Sequence, residues 1–518
     1  MMKVVVVGHG MVGSRFVDDL VRHAKYAAVD VAVTVLADEP YEPYNRLMLS
    51  EVIAGRADLA SLSLPQAPAG VEVRQGVAAL AIDRQRRIVT DAEQVEHEYD
   101  VLVFATGAEP RMPKIPGLAA SGGRGVRAVR TLDDCRELLA ACEPGRRMVV
   151  LGGGLLGVEI AAGLRHRGVD VTLVHRAGHL MDRQLDEPSA RMVAAALDDL
   201  GIDVRLESGV TRVLRERGVL CGLELPGGDV LPTDLLVVNT GVQPRVSLAR
   251  AAGVPTDIGI LVDERLRALD DESVAAVGDC AQTDAGCTGL IAPGWEQAGR
   301  LARDLVRGAG PSQETDGDGE AESAPETSVV KLKARGVEMV ALGPRVPEPF
   351  EAHRRGVRVV SMHDVAERRS VTVAVRGERI VSAVIVGSPR LAADLTTAYE
   401  RSSPLPLDPA HLLVKGAASP EAVPEVSSPT TIPNSATVCR CNGVTKKQII
   451  DAHTAGHREV ADVALATRAT TGCGGCTSSV CGILEWMDAA TGAPAARESD
   501  AAQIAAGEGS QAQAVNAR

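Results

Sequence analysis

No apolar run in this 518-residue chain approaches the ~20 residues needed to span a bilayer. Basic residues are not in excess either, and the net charge is −13. The first absence excludes a membrane span; the second argues against nucleic acid as a partner. No HEAGH-like zinc helix, Walker loop or G-x-S-x-G elbow occurs, so none of those catalytic signatures is on offer. No signal peptide is expected either, because four valines are too short an apolar core and a glycine turn follows at once. A cytoplasmic protein is therefore expected. No cysteine precedes Cys135 and none follows Cys481, although the chain holds ten cysteines. In a reducing compartment that number suggests metal or redox chemistry rather than structural disulfides. The length is too great for one core, so three or four domains are expected.

What the chain does have begins at Lys3. The stretch Lys3 to Gly13 reads KVVVVGHGMVG. Val4 to Val7 is a short β-branched run, the pattern of a buried parallel strand. Gly8, Gly10 and Gly13 follow in G-x-G-x-x-G spacing. The first glycine permits a tight turn, the second lets backbone approach a pyrophosphate, and the third lets the next helix pack on the strand. A helix over about Val12 to Val21 would aim its N-terminus at the phosphates. Met148 to Gly157 reads MVVLGGGLLG and repeats the pattern, with Gly152, Gly154 and Gly157 in the same spacing. Two such units imply two dinucleotides. After the second strand of the first unit, Asp38 or Glu39 can accept hydrogen bonds from an adenosine ribose. The second unit has His175-Arg176 at that place. A carboxylate there would repel a 2′-phosphate; its absence, with Arg176 adjacent, permits NADPH as well as NADH.

Other stretches carry a resemblance. Tyr41 to Gly55 reads YEPYNRLMLSEVIAG, Val101 to Pro110 reads VLVFATGAEP, and Gly278-Asp279 lies in AAVGDCA. Together they resemble the FAD-binding segments of pyridine-nucleotide-disulfide-reductase-like flavoproteins, and among these the NAD(P)H nitrite reductase large subunit. The resemblance implies FAD on the first glycine turn and NAD(P)H on the second. It places Asp38 on the ribose and Arg46 at the FAD phosphates or flavin edge. Thr106 and Gly107 would lie near the pyrophosphate, and Asp279 on the ribityl hydroxyls. Glu159 matches the family's G-x-E ending and falls on the nicotinamide side. The stretch Gly289 to Ala298 would close the flavin site. With no cysteine before Cys135, the redox disulfide and the peroxidatic cysteine of other flavoproteins in this group are excluded.

Near the C-terminus, Cys439, Cys441, Cys473 and Cys476 form a C-x-C and a C-x2-C pair. Four thiolates from two loops suit a [2Fe–2S] cluster; zinc is the runner-up, but its structural sites usually use C-x2-4-C for both pairs. The surrounding VCRCNGVTKKQII and TTGCGGC resemble the bacterioferritin-associated-ferredoxin-like module.

The expected fold is α/β, with two Rossmann-like dinucleotide-binding domains, a small α+β interface domain and a small helical [2Fe–2S] domain. The FAD-binding domain is expected over 1–125 and 233–307, with Asp234 to Pro244 as the returning strand. The NAD(P)H-binding domain takes 126–232. An acidic, disordered linker over 308–328 precedes the interface domain at 329–400. A linker with seven prolines spans 401–437, the cluster module 438–488, and a disordered tail 489–518. The resemblance implies electron transfer from NAD(P)H through FAD and the cluster to a protein partner. That partner is the molybdenum catalytic subunit of assimilatory nitrate reductase or a sirohaem nitrite reductase protein. A redox-sensing or scaffold flavoprotein without turnover is the reading from another class. Self-association into a homo-oligomer stays open.

Overall fold

The computed structural model describes residues 1–118, 123–309, 329–334, 336–405, 408, 410, 413, 432–439, 442–472 and 476–491. Most of the acidic linker, the proline-rich linker and the tail, and with them Cys441 and Cys473, lie outside the described residues. The chain forms two compact units, Met1–Ala422 and Val423–Arg518.

In the first unit β1 (Met2–Val7) leads through α1 (Met11–Ala27) to β2 (Val31–Ala37). The helix runs well past Val21 because Phe16, Val17, Leu20 and Ala24 keep one apolar face buried. β1 pairs in parallel with β2 on one side and with β3 (Val101–Phe104) on the other. The six-stranded order is Arg267–Ala268, Asp271–Ala276, β3, β1, β2, Glu72–Gln75. The chain thus leaves β1 in opposite directions, and the crevice at the carboxyl ends of such strands is where α/β sheets take ligands.

A second parallel sheet repeats this plan. β4 (Arg147–Leu151), α3 (Leu155–His166) and β5 (Asp170–Val174) form its glycine-turn unit. Its strand order is Asp203–Arg205, β5, β4, Leu235–Val238, Val126–Ala128. Here the structure corrects the expected return of the chain. Leu235–Val238 pairs in parallel with β4 and with Val126–Ala128, so it belongs to the second sheet. The chain re-enters the first layer after it, where Val242–Pro244 pairs antiparallel with Ala108–Pro110. An apolar four-residue strand reads the same in either sheet, so sequence could not assign it.

Val329–Ala334 opens a five-stranded antiparallel sheet backed by the helix Pro389–Glu400. Leu332, Met339 and Ala374 of this layer share a buried cluster with Met148, Ile160 and Leu173. In the second unit, helices Lys446–Thr454, Val460–Thr467 and Thr477–Thr491 enclose Ile449, Val463, Val480 and Ile483. The last helix continues into the stretch expected as a disordered tail. Among the described residues, no helix is long and apolar enough to cross a membrane.

Candidate cofactor and cluster sites

The two glycine turns have the same shape for the same reasons. Gly8 has φ +107° and Gly152 has φ +120°. A Cβ on Gly8 would stand 2.3 Å from Ala105 O, and one on Gly152 would stand 2.1 Å from Asn239 O. Each turn is pressed against the end of the neighbouring strand, where no side chain fits. Cβ atoms on Gly13 and Gly157 would meet the carbonyls of Gly8 and Gly152 at 2.3 and 1.9 Å. Those glycines let helix and turn touch. Gly10 and Gly154 are different: a Cβ on either would meet nothing within 4 Å. The space over the middle glycine is open at the N-terminus of a helix, where N–H groups and the dipole favour an anion.

The space above Gly10 belongs to a cleft of about 990 Å³, open to solvent. Gly8, Gly10, Asp38, Glu39, Arg46, Thr106, Gly107 and Asp279 all line it. Sequence distance between them exceeds two hundred residues, and the β1–β3 crevice brings them together. Glu39 is engaged by Arg46 and by the Tyr44 hydroxyl, which donates at 2.7 Å. Asp38 is the more exposed acid and accepts from Arg245 Nη1 at 3.1 Å. Thr106 Oγ1 donates to Arg245 O at 2.8 Å. A Cβ on Gly107 (φ +68°) would also meet nothing within 4 Å. Asp279 accepts from Arg130 Nη2 at 2.7 Å, and Gly278 N–H donates to Gln297 Oε1 at 2.8 Å.

Arg130, Arg245 and Tyr44 therefore join the site, although sequence analysis passed them over. Arg130 follows a strand of the second sheet and carries no local motif. Only the fold brings it to Asp279. The donor set suits a flavin dinucleotide. Three guanidinium groups can face a pyrophosphate, and three carboxylates can accept from ribose and ribityl hydroxyls. Burial chiefly pushes the Tyr44 hydroxyl well above its ordinary range, so it stays a neutral hydroxyl donor.

At the second turn, Gly153 N–H donates to His175 Nδ1 at 3.1 Å. His175 is buried beneath the turn, whereas Arg176 is exposed. The expectation had put both at the ribose end, and the structure turns only Arg176 outward. Glu159 lies enclosed where α3 packs on α2 (Leu49–Ile53) and on Val329–Ala334. Its Oε1 accepts from Lys333 N at 2.8 Å. Burial pushes its carboxyl above the usual range, opposed by the Ser50 hydroxyl and the Lys333 N–H.

In the C-terminal unit, Cys439 is buried on a short strand and Cys476 stands just before the last helix. The fold brings these two thiols together, one from each sequence pair. Hydrogen bonding from Cys476, aided by N–H groups of Thr470 and Asn442, pulls the Cys439 thiol down to about 6 against its burial. Asn442 Nδ2 also bonds Arg468 O at 2.7 Å and Thr471 Oγ1 at 3.1 Å, tying the two cysteine loops. Arg468 and Thr470 hold left-handed backbone, with φ of 65° and 69°, on the approach to Cys473. A thiolate-favouring pocket is what iron or zinc ligation needs.

Comparison with known proteins gives two family matches. Residues 2–300 match the pyridine nucleotide-disulphide oxidoreductase family, and residues 437–486 match the BFD-like [2Fe-2S] binding domain. The chain is 32% identical over 500 residues to the NAD(P)H nitrite reductase large subunit of Klebsiella oxytoca, covering 94% of itself and 49% of that protein. It is 29% identical over 499 residues to the assimilatory nitrate reductase electron transfer subunit of Bacillus subtilis (strain 168), covering 94% of itself and 60% of that protein. It thus spans 49% and 60% of the length of these two relatives. Among solved structures, a ferredoxin reductase from Rhodopseudomonas palustris superposes with a TM-score of 0.63 at 26% identity, over 81% of this chain and 100% of that one.

Proposed function

The chain belongs to the pyridine nucleotide-disulphide oxidoreductase family, and from that footing we propose that it carries electrons from NAD(P)H to the molybdenum catalytic subunit of an assimilatory nitrate reductase. FAD and NAD(P)H are the cofactor and donor of the family, and the BFD-like domain adds a [2Fe–2S] cluster. One observation carries the reading: two glycine turns of one shape, each open over its middle glycine, precede a thiolate-favouring module in the same chain. FAD supplies hydride acceptance and one-electron release when bound, and the cluster supplies a one-electron carrier.

The chain's own residues position and tune. Gly10 and the α1 N-terminus would receive the FAD pyrophosphate, with Arg46 and Arg130 as counter-charges. Asp38 would hold the adenosine ribose, Asp279 the ribityl hydroxyls, and Thr106 and Gly107 the close backbone approach. Gly152, Gly154 and Gly157 would receive NAD(P)H. Cys439, Cys441, Cys473 and Cys476 would hold the cluster. Cys280 follows Asp279 but is fully buried, with its thiol against Phe104 O and Val277 O. Burial pushes it up, so it stays an enclosed, protonated thiol outside the electron path. The cytoplasm is the proposed compartment.

A second reading has its own support. The NAD(P)H nitrite reductase relative is the more similar of the two compared above, which favours electron input to a nitrite-reducing partner. The deciding experiment assays the purified chain with NAD(P)H, with and without a molybdenum subunit or a sirohaem protein. The chain should reduce artificial one-electron acceptors but neither nitrate nor nitrite. Nitrate reduction should appear only when the molybdenum subunit is added. Restoration of nitrite reduction by the sirohaem protein instead would select the second reading. Turnover of either anion by the chain without a partner would overturn both.

Donor choice rests on Arg176. It is exposed beside the second turn and, among the described residues, has no ion-pair partner. NADPH should be accepted, because the 2′-phosphate meets a cation and no carboxylate. Arg176→Glu should shift the kcat/KM ratio toward NADH by about tenfold or more, since like charges in contact cost several kcal/mol. An unchanged ratio would make Arg176 a surface residue without a ligand.

A further inference from the structure

The peptide between the two outer glycines of the second turn is clamped from both sides. Gly153 N–H donates to His175 Nδ1 at 3.1 Å, and Gly153 O accepts from Met181 N at 2.8 Å. A Cβ on Gly153 would stand 2.9 Å from His175 Cγ and 2.6 Å from Leu180 Cδ2, so the ring lies directly against the turn. The His175 backbone is itself fixed, with its N–H on Arg205 O at 2.8 Å and its carbonyl accepting from Ser208 N at 3.0 Å. This histidine follows β5 directly, where the dinucleotide fold ordinarily sets a ribose-binding carboxylate. Only 8% of it is exposed, so it cannot reach a ribose as such a carboxylate does.

Acceptance at Nδ1 places the ring proton on Nε2. Nε2 is enclosed and faces Asp182 Oδ1 at 3.4 Å, a long contact. Among the described residues, Arg176 and His179 add charge near the ring that opposes its protonation.

We propose that His175 is a positioning residue for nicotinamide-nucleotide binding: the neutral ring accepts the Gly153 N–H and holds the 152–157 turn in the shape that receives a pyrophosphate, without touching the nucleotide. The proposal rests on the reading that this turn binds NAD(P)H. It carries a pH signature that packing alone lacks. Protonation puts a hydrogen on Nδ1, and two donors then face each other across the turn. Burial holds the ring below its ordinary value of 6.5, against the pull of Asp182. The clamp is therefore intact at neutral pH and lost as pH falls through that depressed value.

The test measures NAD⁺ affinity of the full-length, FAD-loaded protein by calorimetry from ~pH 8 to ~pH 5, a window in which histidine titrates. NAD⁺ is used because the 2′-phosphate of NADP⁺ titrates in the same range. Wild-type affinity should fall as the pH drops toward the depressed value, by about tenfold once the ring is protonated, the cost of one broken buried hydrogen bond, with FAD content unchanged. His175→Asn puts an amide oxygen at the position of Nδ1 and has no proton to gain. It should bind as wild type does at neutral pH and lose the acid fall. His175→Leu should bind about tenfold more weakly throughout. An Asn variant that keeps the acid fall, or a Leu variant that binds like wild type, overturns the role of His175. Should the Leu variant not fold, the Asn variant decides. Gly154→Glu separates the two levels. If it leaves NAD⁺ affinity unchanged, the turn is not the nucleotide site and both readings fall.

Discussion

Gly10→Glu is expected to yield a folded protein without flavin. A Cβ at this position meets nothing within 4 Å, and the helix α1 begins at the next residue. The backbone therefore has no quarrel with a side chain there. On the proposed function, what the carboxylate would meet is the pyrophosphate of FAD, where helix N–H groups and open space favour an anion. Two like charges in contact cost several kcal/mol, or ~100-fold and more in affinity. Gly13→Ala makes the contrast. Its Cβ would lie 2.3 Å from Gly8 O, so helix and turn must separate, and about 3 kcal/mol of stability should be lost. The measurements are flavin absorbance of the purified protein and its thermal unfolding. The first variant should lose flavin and keep most of its stability; the second should lose stability first. Wild-type flavin loading in Gly10→Glu would remove FAD from this cleft.

The same glycines show how much was legible beforehand. Their spacing after a valine strand is a local pattern, and local patterns survive in sequence. The two Rossmann-like sheets, a small strand-rich third layer and a helical C-terminal module could all be read this way. Contacts made by long-range folding could not. Arg130, just past a strand of the second sheet, meets Asp279, just past a strand of the first, and no stretch around Arg130 announces it. Leu235–Val238 was given to the wrong sheet because its four apolar residues fit either neighbour. His175 was read as a ribose-side residue because sequence marks the end of β5 but not the direction of the ring. Its role depends on a bond to Gly153, which only the folded turn supplies. The bare pattern left Asp38 and Glu39 alike and only the resemblance singled out Asp38; in the fold Tyr44 and Arg46 set the two apart by engaging Glu39.

Cys439→Ser is expected to abolish the iron–sulfur signal while leaving NAD(P)H-to-flavin reduction at the wild-type rate. Cys439 is buried, and its sulfur lies within hydrogen-bond reach of Cys476 and of Asn442 Nδ2, the latter at 3.8 Å. A serine hydroxyl in that place keeps the shape but stays protonated, and a soft metal centre loses one of its thiolates. The glycine turns and the cleft above Gly10 belong to the other compact unit, so the flavin half should be untouched. The two halves can therefore be read separately. Iron and acid-labile sulfide content and the reduced-state EPR spectrum report the module. Anaerobic bleaching of the flavin by NAD(P)H reports the rest. On the proposed function, delivery of electrons to the molybdenum subunit should vanish in the variant, while a chemical dye that feeds that subunit directly should still drive nitrate reduction. Zinc without iron in the wild-type module would overturn the one-electron role of this domain. Loss of flavin reduction in Cys439→Ser would overturn the independence of the two halves.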